Sequence, residues 1–420
     1  MAKYCLQVMW LSFTAFSALT LFGCASFNPR TVDEVPFRER AQVQSDDNVR
    51  ITAAVLSPEE TKELFDLPLY RRGIQPIWLE IENMDEKPVW FPRISVDQNY
   101  FAPFEVAYMH HRTFSKQSNL QMDKYFDEQV IGGYIPSGSV RSGFVFTHLD
   151  LGTKNFDIDI VGEDHEVRTF TFFINVPGLR ADHHEVKWDD LYTKDQIVSY
   201  DEIGLKKALE SLPCCTTNRK GTKQRKPINL IVIGDTEEVF HALIRSGWNE
   251  TGRMDKTSIT NTKTSSTVWR QYRYKPISPL YVYGRPQDMA FRKSRKTAHE
   301  KNELRLWLSP MTLEGKPVWV GQINRDIGLR FARLTVIYKI DPAIDDVRNY
   351  ILQDLWYSQG LAKFGFVKGV EAASIKKPRR DTLGNRYFTD GYRIVVWVSS
   401  EPVSFSEVVH MEWERPFSER

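Results

Sequence analysis

The stretch PINLIVIGDTEEVFHALIRSGW, residues 227–248, contains one strand pattern followed directly by one helix pattern. The apolar run at 228–233 ends before Gly234, and the apolar residues from Thr236 to about Ser246 recur on one helical face until Gly247 ends the helix. This order predicts a buried strand with an amphipathic helix packed against the sheet. The stretch therefore predicts a domain of the α+β class.

The sequence downstream supplies further elements of this domain. Strands are predicted at LRLWLS, KPVWVGQIN, RLTVIYKI and YRIVVWVS, which are rich in β-branched and aromatic residues. The segment PAIDDVRNYILQDLWYSQG predicts a helix that begins at Asp341-Pro342 and ends at Gly360. Together with the helical stretch GLKKALESL, these elements predict an α+β domain with a mixed sheet over residues 201–408 and a loosely held tail at 409–420.

The half of the chain before this domain has a different pattern. Seven short runs, among them VRITAAVLS and RTFTFFINV, are β-branched and aromatic and are separated by Pro, Gly, Asn and Asp. They predict an immunoglobulin-like all-β sandwich over residues 48–178, with helices at PEETKELFD and NLQMDKYFDEQV as insertions. An acidic connector at 179–200 separates the two predicted domains.

The first residues of the chain have the pattern of an export signal, because residues 5–23 are uncharged and follow the basic Lys3. The junction Leu21-Phe22-Gly23-Cys24 resembles the lipobox of bacterial lipoproteins, in which the cysteine is acylated and becomes the mature N-terminus. The resemblance implies a signal peptide at 1–23, a lipid on Cys24 and a tether at 24–47. It also implies attachment to the outer membrane, with the chain facing the periplasm or the cell surface. An uncleaved anchor helix is the alternative.

Charge is distributed unevenly along the chain. Residues 1–200 contain 19 Lys and Arg against 29 Asp and Glu, whereas the remaining residues contain 37 against 25. The basic residues cluster in RKGTKQRK (219–226), RKSRK (292–296) and KKPRR (376–380). Solvated loops are the simpler interpretation, and binding of an anionic lipid, lipopolysaccharide or glycan is the alternative. Nucleic acid is not an expected partner of an exported lipoprotein.

Eight ordered segments of the second half resemble the LssY C-terminal domain. They are LPCCTTN, PINLIVIGD, AL..SGW, SPLYVYGRPQDMAF, LRLWLS, KPVWVGQINRDIGL, IDPAIDD and YFTDG, between about Asp201 and Val403. The resemblance implies a bacterial envelope setting and supplies no reaction. Family members often have a histidine pair before the Leu-Arg-x-Trp strand and a Thr-His step before Ile-Asp-Pro. This chain has Asn302-Glu303 and Ile337-Tyr338 at those positions.

Polar residues at the predicted strand ends and turns of the second domain form the best candidate site. The candidate catalytic residues are Arg285, Asp288, Arg305, Asp326 and Asp341. In a site, the arginines would hold an anion and an aspartate would act as a base or metal ligand. In a structural network, a buried Arg305 would pair with Asp326 or Asp288, and Asp341 would cap a helix. The structural interpretation is favoured.

Two pairs of neighbouring residues could form a disulfide or bind a metal. Cys214 and Cys215 are adjacent, so in an oxidising compartment they can form a disulfide that acts as a redox switch or as a local brace. A brace, or two packed thiols, is favoured. The segment DHHE, 182–185, contains two histidines, but neighbouring side chains of an extended segment point to opposite faces. We therefore interpret it as part of an exposed connector, and no metal or cofactor is predicted.

These features predict a lipid-anchored cell-envelope protein that acts as a binding or accessory component. Its expected partners are the membrane, another envelope protein, or an anionic lipid or glycan. The first alternative is a periplasmic hydrolase or metal-assisted enzyme that uses the Arg and Asp candidates, and the second is recognition of lipopolysaccharide or peptidoglycan. An enzyme is not favoured, because the sequence has neither a Gly-rich phosphate loop nor a G-x-S-x-G elbow.

Overall fold

The computed structural model describes residues 26–252, 273–295, 300–332, 335–381, 384–414 and 416. The predicted signal peptide and Cys24 lie outside these residues. Contacts within the chain divide it into two compact units. The first comprises the chain to Asp150 with Lys154–Pro177, and the second comprises Leu151–Thr153 with the chain from Gly178 onward.

Strands of the first unit form two four-stranded sheets. The strands are β1 Gln42–Ser45, β2 Val49–Val55, β3 Ile74–Asn83, β4 Val89–Trp90, β5 Tyr134–Ile135, β6 Ser139–His148, β7 Gly152–Gly162 and β8 Val167–Val176. One sheet has the order β1-β2-β3-β6 and the other has the order β5-β4-β7-β8. Both contribute to one core, in which Ile77 and Leu79 of β3 are clustered with Ile158 of β7 and Phe172 of β8.

Helices cover the other face of the first sheet. They are α1 Pro58–Phe65, α2 Leu69–Arg72, α3 Pro103–Tyr108 and α4 Lys116–Gln129. Ser57 begins α1, because its hydroxyl accepts a hydrogen bond from the amide of Glu60. Phe65 of α1 and Phe126 of α4 share a second core with Trp78 of β3. Since both faces of β3 are covered, its side chains form a nearly continuous buried run.

The second unit is built around a larger mixed sheet. The strands of this unit are β9 Val198–Tyr200, β10 Cys215–Thr217, β11 Gln224–Pro227, β12 Leu230–Ile233, β13 Asn249–Glu250, β14 Tyr281–Val282, β15 Arg285–Pro286, β16 Met289–Ser294, β17 Glu300–Leu313, β18 Lys316–Ala332, β19 Thr335–Ile340, β20 Leu361–Lys368, β21 Arg379–Arg380, β22 Arg386–Tyr387, β23 Tyr392–Val398 and β24 Val409–His410. Its helices are α5 Glu202–Glu210, α6 Thr236–Arg245 and α7 Ile344–Tyr357.

The large sheet has ten strands in the described chain, with the central order β13-β16-β17-β18-β12-β23-β20-β24. In addition, β19 pairs with β18 and β9 pairs with β17. Strand β12 is antiparallel to β18 and parallel to β23, which confirms the predicted mixed sheet. Leu205 and Leu209 of α5 pack with Ile231 of β12 on one sheet face. The remaining pairings are a smaller sheet, β11-β10-β14-β15, and the hairpin β21-β22.

Four segments differ from the expectations. The predicted tether at 24–47 contains β1, which pairs with β2, and Phe37, which is buried in a core of the first unit. The last helix begins at Ile344 rather than at Asp341-Pro342, because the Asp341 carboxylate accepts a hydrogen bond from the amide of Ala343 in a turn before the helix. The connector at 179–200 contains short 3-10 helices at Asp182–Glu185 and Trp188–Asp190. The predicted tail is not loose throughout, because β24 pairs with β20. Among the helices of the described residues, none has the length and apolar character that crossing a membrane requires.

Candidate functional site

Arg285 and Asp288 form a two-pronged ion pair. Nε and Nη2 of Arg285 each donate to one carboxylate oxygen of Asp288, both at 2.9 Å. Nη1 of Arg285 donates to Tyr192 Oη at 2.9 Å, and the amide of Leu308 donates to Asp288 Oδ2 at 2.8 Å. Although burial alone would lower the pKa of Arg285, the Asp288 carboxylate raises it. The two candidates therefore satisfy each other.

This ion pair lies in the wall of a cavity of about 520 Å³. The other charged residues that line the cavity are Asp182, Glu185, Lys187 and Asp190. Carboxylates outnumber cations among the lining side chains, and Arg285 is already held by Asp288. This cavity does not have the charge that an arginine clamp for an anion requires.

Arg305 is buried, but its partners are not the predicted ones. Its Nη2 donates to Glu303 Oε2 at 3.2 Å, its Nη1 donates to Gln322 Oε1 at 2.9 Å, and its Nε donates to the carbonyl of Ser278 at 3.2 Å. The expectation of Asp326 or Asp288 as the direct partner is wrong. Glu303 lies two residues away on the same face of β17, and Gln322 is directly opposite Arg305 on β18.

These contacts belong to a charged network, which we call the buried polar network, on one face of β16, β17 and β18. Its members are Lys226, Arg292, Lys301, Glu303, Arg305, Gln322, Asn324 and Asp326. Lys301 Nζ lies 2.9 Å from Asp326 Oδ2, and Arg292 Nη2 lies 3.1 Å from Glu303 Oε1. Arg305 is 2% exposed and Asp326 is 3% exposed. The two candidates are therefore covered by side chains and do not face an open cleft.

The ionisation of the network follows from burial and from its cations. Burial would raise the pKa of Glu303, but Arg305 and Arg292 outweigh this effect and lower the pKa to about 2. Burial and the Glu303 carboxylate raise the pKa of Asp326. Burial and Arg305 lower the pKa of Lys226 to about 8. Glu303 is thus the group whose negative charge compensates its cationic neighbours most strongly.

Asp341 belongs to neither of these groups. Its Oδ1 accepts from the amide of Ala343 at 3.0 Å, so it shapes the turn before α7 and does not cap the helix as predicted. Asp345, one turn later, accepts from Thr389 Oγ1 and from the amide of Asp390, each at 2.7 Å. The structure therefore distributes the five predicted candidates over three sets of partners.

Cys214 and Cys215 are joined by a disulfide. Beside it, the guanidinium of Arg393 is fully buried in β23, and its hydrogen bonds to described residues all go to backbone carbonyls. These are the carbonyls of Leu209, Leu212, Pro213, Ile228 and Gly369. The residues just before the disulfide are thus fixed to the sheet, which is consistent with a local brace. Arg393 is not among the predicted site residues, although a lone arginine within the apolar run YRIVVWV is a detectable signal.

A second cavity, of about 580 Å³, lies between β19 and the β21-β22 hairpin, and we call it the basic pocket. Its charged lining residues are Lys339, Arg380 and Arg386, and its apolar lining includes Ile340, Ile375 and Phe388. Arg380 and Arg386 lie directly opposite each other in the hairpin. All three cationic side chains are exposed. The run KKPRR pointed to this region, whereas Lys339 and Arg386 carried no signal in the sequence.

The two histidines of DHHE lie in a 3-10 helix, so the assumption of an extended segment is wrong there. Because successive residues of such a turn are not on opposite faces, both imidazoles approach one carboxylate. Nε2 of His183 lies 3.2 Å from Glu250 Oε1, and Nε2 of His184 lies 3.5 Å from the same oxygen. Glu250 had no signal in the sequence, because strand β13 that carries it has only two residues.

Residues 206–392 match the family model of the LssY C-terminus. The match confirms the resemblance for this domain of the second unit, and it covers less than half of the chain. It includes the buried polar network and the basic pocket, whereas His183 and His184 precede it. No curated protein matches the chain.

Proposed function

We propose that the protein is a lipid-anchored component of the bacterial outer membrane that binds phosphate groups of an envelope lipid in its basic pocket. In this proposal Cys24 carries the lipid, and the rest of the chain faces the periplasm or the cell surface. The lipobox-like junction before Cys24 and the similarity of residues 206–392 to the LssY C-terminus support the envelope setting. The basic pocket supports the choice of ligand.

The observation that carries the proposal is the cross-strand pair of Arg380 and Arg386. Like charges directly opposite each other in an antiparallel pair destabilise it. Lys339 adds a third positive charge to the lining of the same cavity. A ligand with a phosphate group would neutralise these charges and accept several hydrogen bonds from the arginines.

The apolar lining indicates a lipid rather than a free anion. Ile340 and Phe388 line the basic pocket beside the cations, and Ile375 at its rim is 73% exposed. Cations next to exposed apolar side chains match the boundary between phosphate headgroups and acyl chains. A free phosphate would use only the charged part of this surface.

The first unit is assigned the accessory part of the function. Its two four-stranded sheets around one core are consistent with an immunoglobulin-like sandwich, the architecture proposed for it. Trp90 of β4 and Tyr134 of β5 are exposed neighbours whose ring centroids lie 5.6 Å apart. Exposed aromatic side chains are frequent in protein interfaces, so another envelope protein is the partner proposed for this unit.

The alternative of a hydrolase receives less support from the candidate residues. Arg305 and Asp326 are covered within the buried polar network, and Arg285 is held by Asp288. A binding role needs no catalytic group and agrees better with these contacts.

Vesicle binding by an unanchored chain tests the proposal. The chain is produced without residues 1–23 and with Cys24→Ser, so that no acyl chain contributes, and is sedimented with vesicles containing phosphatidylglycerol or phosphatidylcholine alone. Binding to the anionic vesicles is expected. Each basic residue near such a surface contributes about 1 kcal/mol, so Arg380→Gln with Arg386→Gln is expected to weaken binding by about 30-fold.

The matched control is Lys376→Gln with Lys377→Gln. It removes the same charge from exposed residues of the same basic run that do not line the cavity. A much smaller loss is expected for this control. Equal losses in the two double variants would mean that general surface charge, and not the basic pocket, attracts the vesicles. Competition by inorganic phosphate distinguishes a phosphate site from a site that needs the whole lipid.

A further inference from the structure

The imidazoles of His183 and His184 and the carboxylate of Glu250 converge in the second unit. Their potential ligand atoms all lie within 4.8 Å of one another. Glu250 is 1% exposed, whereas the side chain of His184 is 30% exposed. The group therefore has one fully buried acidic member and one side that is open to solvent.

The Glu250 carboxylate is held in place by its second oxygen. Oε2 accepts a hydrogen bond from the amide of Thr153 at 2.6 Å. Gly152 makes room for this oxygen, because a Cβ atom at that position would lie 2.3 Å from it. Gly152 also has φ +78°, a left-handed conformation that favours glycine. With Oε2 fixed in this way, Oε1 points toward the two imidazoles.

Oε1 of Glu250 is buried, and no described residue gives it a hydrogen bond. The Nε2 atoms of His183 and His184 lie 3.2 and 3.5 Å from this oxygen. A buried carboxylate oxygen without a hydrogen bond is costly, and a positive charge beside it, on a bound metal ion or on a protonated imidazole, would stabilise it. The lack of a hydrogen bond to Oε1 is a separate observation from the closeness of the two histidines and the glutamate.

The two nitrogen–oxygen distances match a metal ion with tetrahedral geometry. Zinc binds imidazole nitrogen and carboxylate oxygen at about 2.0–2.2 Å, which places two ligands of one tetrahedron about 3.3–3.5 Å apart. Both nitrogen–oxygen distances in the cluster are close to this value. Around His183, the rings of Phe240 and Phe291 lie at centroid distances of 5.2 and 6.4 Å and form an apolar surrounding. Such a shell limits access of solvent to a metal.

We propose that His183, His184 and Glu250 bind one divalent transition-metal ion, with Zn²⁺ as the best match. Two histidines and one glutamate leave the fourth tetrahedral position open, as in zinc sites that bind water or an exogenous ligand. His184 is the most exposed of the three ligands, with 30% of its side chain accessible. The site is separate from the basic pocket and from the buried polar network.

Titration of the full chain with ZnSO₄ tests the site. The protein is purified with a tag that contains no histidine, stripped with a chelator and kept without reductant, so that Cys214 and Cys215 stay in their disulfide. Calorimetry is expected to show one Zn²⁺ per chain in the unchanged protein. His184→Ala and Glu250→Gln are each expected to weaken binding at least about tenfold.

The matched control is His111→Ala, which removes a histidine that lies 2.7 Å from a carboxylate, that of Asp123, in a pair with only two members. Its zinc affinity is expected to equal that of the unchanged chain. The absorption of Co²⁺ gives a second readout, because a tetrahedral site produces intense visible bands that His184→Ala should abolish. His184→Ala is decisive even if Glu250→Gln fails to fold, since His184 is partly exposed. Absence of zinc binding by the unchanged chain, or equal binding by His184→Ala, overturns the proposal and leaves an imidazole–carboxylate ion pair.

Discussion

At the scale of single residues, the second unit buries its charges in groups. Glu303 contacts Arg292, Lys301 and Arg305, all of which are at most 3% exposed. A buried arginine on the LRLW strand that requires a partner could be inferred from the sequence. The identity of the partner could not, because it depends on which residue of β18 lies opposite Arg305. An irregularity in the pairing between Leu308 and Thr312 shifts that register.

Replacing the central carboxylate of the buried polar network should destabilise the protein. Glu303→Gln keeps the shape but removes the negative charge, so three buried cations lose their shared partner. We expect the free energy of unfolding at pH 7 to fall by about 3–5 kcal/mol. The pKa of Glu303 is about 2 in the folded protein and 4.5 ordinarily, so its contribution is complete above pH 4.5 and disappears as the pH falls toward 2.

Urea unfolding of the unchanged chain and of Glu303→Gln at pH 7, 5 and 3 measures this effect. The difference between the two proteins should be largest at pH 7 and should shrink at pH 3. Glu210→Gln, at an exposed position of α5, is the control and should change the stability by no more than about 0.5 kcal/mol. A loss from Glu303→Gln that is small at pH 7, or constant with pH, contradicts the role assigned to the carboxylate.

At the scale of secondary-structure elements, short apolar runs predicted the central strands of the large sheet well. Strand β23 falls where YRIVVWVS indicated it, and α6 begins at the predicted Thr236. Element ends were predicted less well, because local hydrogen bonds decide them. The Asp341 turn delays the start of α7, and pairing with β20 orders residues 409–410 that have no strand signal of their own. The basic pocket depends on the β21-β22 hairpin, whose strands of two residues each were not predicted.

Arg393 links several of these elements through backbone carbonyls. Replacement by Met keeps the length of the side chain but leaves five carbonyl groups without their charged donor. Hydrogen bonds to a charged group contribute about 1.5–3 kcal/mol each, so we expect Arg393→Met to lower the free energy of unfolding by at least about 3 kcal/mol. Urea unfolding is the measurement. Lys368→Met, at an exposed position of neighbouring β20, should have little effect, and similar losses in the two variants would refute the role of the guanidinium.

At the scale of the whole molecule, the chain combines two units with mostly β structure. The similarity to the LssY C-terminus covers residues 206–392. The strand patterns of the sequence predicted both the presence of several sheets and the mixed sheet. The convergence of Glu250 with the two histidines could not be predicted. It depends on a 3-10 helix in the connector and on the close approach of residues that lie more than sixty positions apart in the sequence.

The proposed attachment to the membrane predicts the behaviour of two cysteine variants. Each buried methylene group of an acyl chain contributes about 0.8 kcal/mol to membrane binding, so several chains on Cys24 would anchor the protein stably. Cys24→Ser should lack the acyl mass on its N-terminal peptide in mass spectrometry and should no longer yield a mature chain that begins at residue 24. Cys5→Ser, in the segment whose removal is proposed, should leave the lipidated product unchanged. An unmodified Cys24 in the native protein would favour the uncleaved anchor helix.

The disulfide between Cys214 and Cys215 also has a consequence for biogenesis. Four cysteines allow three complete pairing schemes, but the proposed removal of Cys5 with the signal peptide and acylation of Cys24 would leave one. Its two members are neighbours in the chain, so they meet without the closure of a long loop. If the chain is exported and processed as proposed, its oxidation has a single outcome and requires no reshuffling by an isomerase. The mature protein would then present no free thiol through which it could become cross-linked to other exported chains.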